Sequence, residues 1–302
     1  FYIPAAGALI IDYHRGPTRA FAGGLHATGL VLGSLVGGIG GWLAEQHGWR
    51  YAYAAVAIPN LGLGVLLFFL LREPPREEVA VPAAAPAGAG KDSFSFGEAI
   101  RSLLKPGPFY AMVGTMAIQG GVSWIIIGWM PTIIREQFNL GQAAAGFSAL
   151  GFLYSFQIGG LLLGGFFSDR LSARNARARI FLPAIAILCA TPVFWILAAT
   201  PRLDLSLVSL ACYGAAMGTM GANIVPIVCL SVDPRVRATA GGLLNGVTAV
   251  CGGLAVFGVG ALRDAGFGAQ VVLAVAAAGV LACGVLLWLV NVGVRRAAAP
   301  AA

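Results

Sequence analysis

Polar and aromatic side chains stand alone in the middle of long apolar runs of this 302-residue chain. Amide, hydroxyl and indole groups at such positions can hydrogen-bond a neighbouring helix or a small solute, but they do not break covalent bonds by themselves. Each one taken singly is as well explained by a helix bridge as by a solute contact. As a set they predict a cavity. The candidates to line it are His26, Gln119, Trp124, Tyr154, Gln157, Tyr213, Asn223 and Asn245.

His26 is the one histidine inside an apolar run, and its imidazole could shuttle protons near neutral pH. It could equally stay neutral and donate a single hydrogen bond, and the sequence leaves both interpretations open. The middle of every complete apolar run lacks Asp, Glu, Lys and Arg. A charge there would be costly and would mark an ion or solute path, so these runs contain no obvious carboxylate proton carrier.

The residue pattern argues against an enzyme. The five cysteines are scattered singly through apolar runs, and the sequence has no cluster of His, Asp and Glu with metal-ligand spacing. Nucleophile and phosphate-binding motifs are absent as well. We therefore expect no catalytic residue, no metal and no cofactor. The net charge of +7 comes without a dense basic run, so we expect no nucleic-acid partner.

The composition is that of an integral membrane protein. Mean hydropathy is +0.84, and only 10% of residues are charged, against about 25% in ordinary soluble domains. A membrane span needs about 20 mostly apolar residues, and eight runs meet that length. The predicted spans are 19–43, 51–71, 108–134, 143–168, 180–200, 205–232, 238–262 and 270–294.

The chain divides at a segment rich in Ala, Pro and Gly, which offers little to pack and is typical of a linker. We predict the remainder of one helix bundle over residues 1–72, a linker over 73–107 and a six-helix bundle over 108–296. Within the linker, apolar residues recur at helical spacing over 96–104. This short pattern favours a helix on the membrane surface.

One heptad occurs near both ends of the chain. Arg19–Leu25 and Arg237–Leu243 are identical except at the third position. Repeats this far apart are not those of a solenoid and indicate duplication of a whole multi-helix half. Matching the two halves predicts an all-α protein of nine helices. The first of these nine, over residues 1–11, is a partial helix. The parent protein would have two bundles of six helices, and its first three helices are missing here.

The basic residues predict the orientation. With the linker on the inner side, fifteen of the 19 basic residues fall in inner loops, and the other four are Arg50, Arg135, Arg202 and Arg263. This bias predicts a multi-pass protein of the inner (plasma) membrane with a cytoplasmic C-terminus.

A loop between two spans carries a recognisable motif. It reads Gly165-Phe-Phe-Ser-Asp169-Arg170 with further arginines after it, and it resembles the loop signature of the major facilitator superfamily in its second-half copy. That family often has Gly where this chain has Ser172. The repeat, the linker and the helix count fit the same family, so the resemblance covers essentially the whole chain.

The resemblance implies two bundles that rock about a midplane cavity, moving a small-molecule substrate, with protons as the expected coupling ion and a monomer as the expected state. It also implies a conformational latch in which Asp169 contacts the inner end of the helix that opens at Arg19. The alternative is a charged turn that only obeys the positive-inside rule. The predicted latch residues are Asp169, Arg170, Arg174, Arg19 and Arg237.

Two branches of the family share short motifs with this chain. Trp129-Met-Pro-Thr132 and Gly-x-x-Asn245 resemble the organic-anion and sugar-acid symporters. The segment ending in Arg76 and the acidic Asp264 resemble spinster-like lipid or lysophospholipid transporters. A small organic anion or sugar acid is the favoured cargo. A drug, metabolite or lysolipid exporter and a non-transporting receptor or scaffold stay as alternatives.

Overall fold

The computed structural model describes residues 29, 31–34, 38–70, 96–103, 108–175, 177–199, 202–232 and 236–297. All regular structure within these ranges is helical, so the predicted all-α class is confirmed. The chain forms two compact units, Phe1–Ser93 and Phe94–Ala302. The first heptad, His26 and the predicted partial helix over 1–11 lie outside the described residues.

The helices of the described ranges agree closely with the predicted spans. Seven of them are long and apolar enough to cross a membrane, as expected for a multi-pass membrane protein. The first unit contains α1 (Gly38–His47) and α2 (Trp49–Leu70), and the second contains α3 (Phe96–Leu103), α4 (Pro108–Phe138), α5 (Gln142–Ser172), α6 (Ala178–Ala199), α7 (Leu203–Ser231), α8 (Arg237–Asp264) and α9 (Ala269–Ala297).

Lipid solvation explains why these segments are helices. No water reaches the hydrocarbon layer, so each backbone N–H and C=O group must be satisfied within its own segment. A helix ends abruptly where the following residue adopts a positive φ. Asn139 (φ 50°) ends α4, and Gly266 (φ 87°) ends α8. After α8, Phe267 N–H donates to Leu262 C=O at 3.0 Å, which satisfies a free carbonyl of the last turn.

In the second unit, five of the six long helices form a ring, and the sixth, α8, lies outside it. Around the ring, α4 packs on α5, α5 on α7, α7 on α6, α6 on α9, and α9 on α4, while α8 packs mainly on α4. Helix α7 is the most enclosed of them. Its Tyr213 is buried and meets the ring of Phe194 edge-on, with centroids 5.2 Å apart.

The closest helix pair is α5 and α7, and glycines make the approach possible. A Cβ at Gly160 or Gly164 of α5 would overlap atoms of Ala215 or Thr219. On the facing side, a Cβ at Gly214 or Gly218 of α7 would overlap backbone atoms of α5. Small residues four apart let helix backbones touch in lipid, where van der Waals contact largely drives helix association. The glycines therefore fix the rotation of α5 against α7.

Helix α8 is held against α4 from its middle to its C-terminal end. Thr248 Oγ1 donates to Met116 C=O at 3.3 Å near the middle of α8, and Trp129 Nε1 donates to Val256 C=O at 3.2 Å two turns further on. Beyond that contact, the Arg263 guanidinium pairs with the Glu136 carboxylate. Contacts at several heights make these two helices one rigid pair.

Candidate functional site

A cavity of about 310 Å³ lies inside the second unit, bounded by α4, α5 and α7. Pockets for small molecules in proteins have volumes of about 300–1,000 Å³, with few polar groups on a mostly apolar wall. This cavity has that character. Its polar lining residues are Gln119, Ser123, Tyr154, Gln157 and Tyr213, and its apolar ones include Leu153, Met217 and Met220.

Three polar side chains form a chain of hydrogen bonds on the α4–α7 wall. Gln119 Nε2 donates to Ser123 Oγ at 3.0 Å. Ser123 Oγ lies 2.8 Å from the Tyr213 hydroxyl and 3.9 Å from Met217 Sδ. Gln119 Oε1 is buried and has no hydrogen-bond partner in the described part of the chain. The hydrogen-bonding capacity of this buried oxygen is therefore unused within the described part of the chain.

The α5 wall contributes Tyr154 and Gln157, one helical turn apart. The tight packing of α5 on α7 places them, because Gly214 contacts Leu153 C=O and Gly218 contacts Gln157 C=O. The glycines that join these two helices are thus adjacent in sequence to the residues that line the cavity. A change in that packing would move the cavity wall.

Four of the sequence candidates meet in this cavity: Gln119, Tyr154, Gln157 and Tyr213. Trp124 points elsewhere, with its ring against Gly252 of α8 and about half of its surface exposed. Asn245, on α8, is exposed and does not line the cavity.

Sequence reasoning did not select Met217, Met220 and Ile224, which continue the Tyr213 face of α7. Their spacing of three and four residues was the signal that could have found them. Apolar residues in an apolar helix do not stand out, however, and only the packing shows which face is lined by the cavity.

Asn223 bridges helices. Its Nδ2 donates to Ser168 Oγ of α5 and to Thr219 C=O of its own helix, each at 2.8 Å. The side chain is buried away from the residues that line the cavity. We expect Asn223→Ala to lower the free energy of unfolding by about 0.6–1.7 kcal/mol, between the mean and the largest value found for hydrogen bonds between membrane helices.

The same variant should leave solute binding in the cavity unchanged. Thermal unfolding and solute binding, measured on the same purified sample, check both parts. Gln157→Ala is the matched comparison, because that residue lines the cavity from α5 and its loss should weaken binding. If Asn223→Ala weakened solute binding as much as Gln157→Ala does, that result would contradict the assignment of Asn223 as a bridge between helices.

A second, larger cavity of about 560 Å³ lies between α3 and the first half of α8. Its lining is apolar apart from Thr239 and Cys251 and includes Ile100, Leu243 and Val250. With so few directed polar groups it offers little that could orient a polar solute. It lies beside the second copy of the heptad, whose Arg237 begins α8.

The charged turn between α5 and α6 is built around one ion pair. Asp169 Oδ1 lies 2.7 Å from Arg179 Nη2. The hydroxyl of Ser172 donates to the Asp169 carbonyl at 2.8 Å and satisfies the last turn of α5. Arg170 and Arg174 are exposed to solvent. Arg19, the predicted partner region of Asp169, lies outside the described residues.

Both members of this pair occupy helix ends that disfavour their charge. Asp169 lies in the last turn of α5, where the helix dipole is negative, and Arg179 lies in the first turn of α6, where it is positive. Their mutual attraction offsets the two unfavourable positions. The stability of the two helices therefore does not explain why a carboxylate lies at the end of α5 and a guanidinium at the start of α6.

The chain matches the Major Facilitator Superfamily over residues 1–256, which is most of its length. The chain belongs to the major facilitator superfamily. NicT of Pseudomonas putida strain KT2440, a protein named for metabolite transport, is 28% identical over 273 residues, which cover 73% of this chain and 58% of NicT. The chain thus spans less than two thirds of that relative's length.

Solved structures with the same fold are crystal structures of a bacterial homologue of the human lysosomal transporter Spinster. In its inward-facing, unoccupied conformation it is 22% identical, with a TM-score of 0.63, covering 97% of this chain and 74% of that one. In the inward-facing, occupied conformation the identity is 21% and the TM-score 0.62, covering 99% of this chain and 75% of that one. The family match over residues 1–256 confirms the predicted superfamily, and these structures share its fold.

Proposed function

We propose that the protein is a secondary transporter that moves a small organic anion or sugar acid across the membrane by alternating access. The observation that carries this proposal is the cavity in the second unit, where five polar side chains converge in an otherwise apolar bundle. Superfamily membership supports the mechanism, because midplane cavities between rocking bundles are typical of such transporters.

Coupling to protons is part of the proposal. The residues that line the cavity carry no carboxylate and no imidazole, so the coupling group lies on another part of the protein. His26 is our candidate, because it is the histidine that falls within an apolar run.

We also propose that Asp169, with Arg170, Arg174, Arg19 and Arg237, forms a latch that is closed in one transport state and open in the other. The unfavourable helix-end positions of Asp169 and Arg179 support this role. For location, we propose the inner (plasma) membrane, with the linker and the C-terminus cytoplasmic, and a monomeric protein. The bias of the basic residues supports the orientation.

A second candidate function is export of a lipid, a lysolipid or a drug-like solute. The observation that favours it is the apolar cavity of about 560 Å³ between α3 and α8, which suits an alkyl chain better than a sugar. A receptor or scaffold without transport is the third candidate.

Proteoliposome uptake by the full-length protein decides between these candidates. We expect accumulation of a radiolabelled hydroxy acid such as gluconate when an inward proton gradient is imposed. Collapse of the gradient with a protonophore should lower the accumulated amount at least about tenfold. Flipping of a fluorescent lysolipid without gluconate uptake would favour the exporter, and absence of both would favour the receptor.

A further inference from the structure

We infer that the α5 wall of the cavity recognises the solute, with the Gln157 amide binding two adjacent hydroxyl groups and the Tyr154 hydroxyl binding a further one. This inference rests on the proposed function in one respect, because it takes the cavity to be the substrate site. It adds which wall makes the directed contacts and which chemical group that wall selects.

The polar groups of the α4–α7 wall are bonded to one another. Gln119 Nε2 donates to Ser123 Oγ at 3.0 Å, and Ser123 Oγ lies 2.8 Å from the Tyr213 hydroxyl. The Tyr213 side chain and Gln119 Oε1 are both buried. A solute that hydrogen-bonded to this wall would compete with the bonds that join α4 to α7. These groups therefore hold the two helices together.

The polar groups of the α5 wall are unbonded and accessible. The Tyr154 hydroxyl and the Gln157 amide make no hydrogen bond within the described part of the chain. The side-chain N and O atoms that are buried without a partner there belong to Gln119, Asn223 and Asn291. The polar atoms of Tyr154 and Gln157 are not among them, so these atoms keep accessible surface, and both residues line the cavity.

The Gln157 amide matches a pair of adjacent hydroxyls. A carboxamide presents an acceptor and a donor side by side. One hydroxyl of a 1,2-diol can donate to the amide oxygen while its neighbour accepts from the amide nitrogen. A carboxylate has acceptors only and would leave the amide oxygen unpaired, and the residues that line the cavity include no cation to balance its charge. The part of the solute beside Gln157 is therefore a neutral diol, as in the hydroxyl-bearing chain of a sugar acid.

Tyr154 extends this contact along α5. It precedes Gln157 by three residues, so the two side chains start from one face of the helix, about 5–6 Å apart at Cβ. A phenol hydroxyl can donate or accept and can bond a third hydroxyl of the same solute. The backbone of Gln157 is held in place, because its carbonyl oxygen touches Gly218 of α7. A fixed backbone reduces the conformational freedom that is lost on binding.

The test compares three monoanions of six carbons: gluconate, which has adjacent hydroxyls; 6-hydroxyhexanoate, which has a single hydroxyl; and hexanoate, which has none. Equilibrium binding to the purified full-length protein is the readout. We expect the wild-type protein to bind gluconate at least about fivefold more tightly than 6-hydroxyhexanoate, because a lone hydroxyl cannot satisfy both groups of the amide.

Gln157→Met keeps the length of the side chain and removes both the donor and the acceptor. We expect the preference for gluconate over 6-hydroxyhexanoate to fall to within about twofold, with hexanoate binding unchanged. Tyr154→Phe keeps the ring and should weaken gluconate binding about threefold or more. A merely structural role of either residue would instead weaken the binding of all three anions by the same factor.

Ser155→Ala is the matched control. It removes an exposed hydroxyl from the same helix, at a residue that does not line the cavity, and should bind all three anions like the wild type.

An unchanged preference in Gln157→Met, or no preference in the wild type, would overturn the inference even if gluconate is transported. If the wild-type protein binds none of the three anions, the proposed substrate class is wrong, and a neutral pair of isomers then tests the inference alone. The pair is 1,2-hexanediol, whose hydroxyls are adjacent, and 1,6-hexanediol, whose hydroxyls are at opposite ends. A preference for 1,2-hexanediol that Gln157→Met abolishes supports the inference, and equal or absent binding of the pair overturns it.

Discussion

Gly218→Ala should destabilise the protein more than any other single methyl group added to the described α5–α7 contact. A Cβ at Gly218 would overlap the carbonyl oxygen of Gln157, and the amide nitrogen of Leu161 lies 2.6 Å from the same position. Both are backbone atoms, so no side chain can rotate to make room. The two helices would have to separate, and the close contact that holds them together in lipid would be lost along its length.

Overpacking of a tight core costs about 1–3 kcal/mol and occasionally more, and we expect the upper end here. For a protein of this size that corresponds to a fall in Tm of about 6–12 °C, measurable by thermal unfolding in detergent. Because the contacted carbonyl belongs to Gln157, solute binding in the cavity should weaken as well.

Gly165→Ala is the control for this variant. Gly165 is on α5 and faces the same partner helix, but a Cβ there would meet Ala222 Cβ at 3.5 Å, which is ordinary van der Waals contact. We expect its Tm to stay within about 2 °C of the wild type, since an added contact costs little where space exists. Equal Tm values for Gly165→Ala and Gly218→Ala would show that helix approach at Gly218 is not tight.

The helices could be predicted from sequence because lipid imposes a simple requirement on length and polarity. The predicted span 205–232 and α7 (Leu203–Ser231) differ by only two residues at the start and one at the end. The prediction for α4 ended at 134, four residues early. Arg135 and Glu136 follow the predicted span, but Glu136 pairs with Arg263 of α8, which lets the helix continue past the apolar run.

The cavity could be predicted only in part. Gln119, Tyr154, Gln157 and Tyr213 drew attention because a polar group in an apolar span is costly and therefore informative. The same reasoning selected Asn223, which bonds Ser168 instead. Which polar residue faces a cavity and which faces a helix depends on the rotation of α5 against α7. Glycine contacts distant in sequence set that rotation, and no local pattern reports it.

The second large effect is expected from the charged turn. Asp169→Asn should lower the transport rate of the full-length protein about tenfold or more, a change of about 1.4 kcal/mol between states. Its Tm should hardly change, because exposed ion pairs contribute only about 0–1 kcal/mol to stability. The Asp169 side chain is 69% exposed. Uptake rates and thermal unfolding, measured side by side, separate the two effects.

Asp204→Asn is the matched control for Asp169→Asn. Asp204 also pairs with an arginine, Arg202 Nη2 at 2.6 Å, and both side chains are exposed. These partners are two residues apart at the start of one helix, so their contact cannot join two moving parts. We expect the Asp204→Asn variant to transport at the wild-type rate, although it loses the same charge.

Exchange of the charged partners distinguishes a latch from a local turn. Asp169→Arg combined with Arg179→Asp restores the ion pair and places each charge at the helix end that favours it. If Asp169 served only the turn between α5 and α6, this double variant would transport normally. If Asp169 instead contacts a facing helix end in one transport state, an arginine there repels that positive end, and transport stays low although the turn is intact. Full recovery of transport in the double variant would therefore rule out the latch and leave Asp169 a structural residue of the turn.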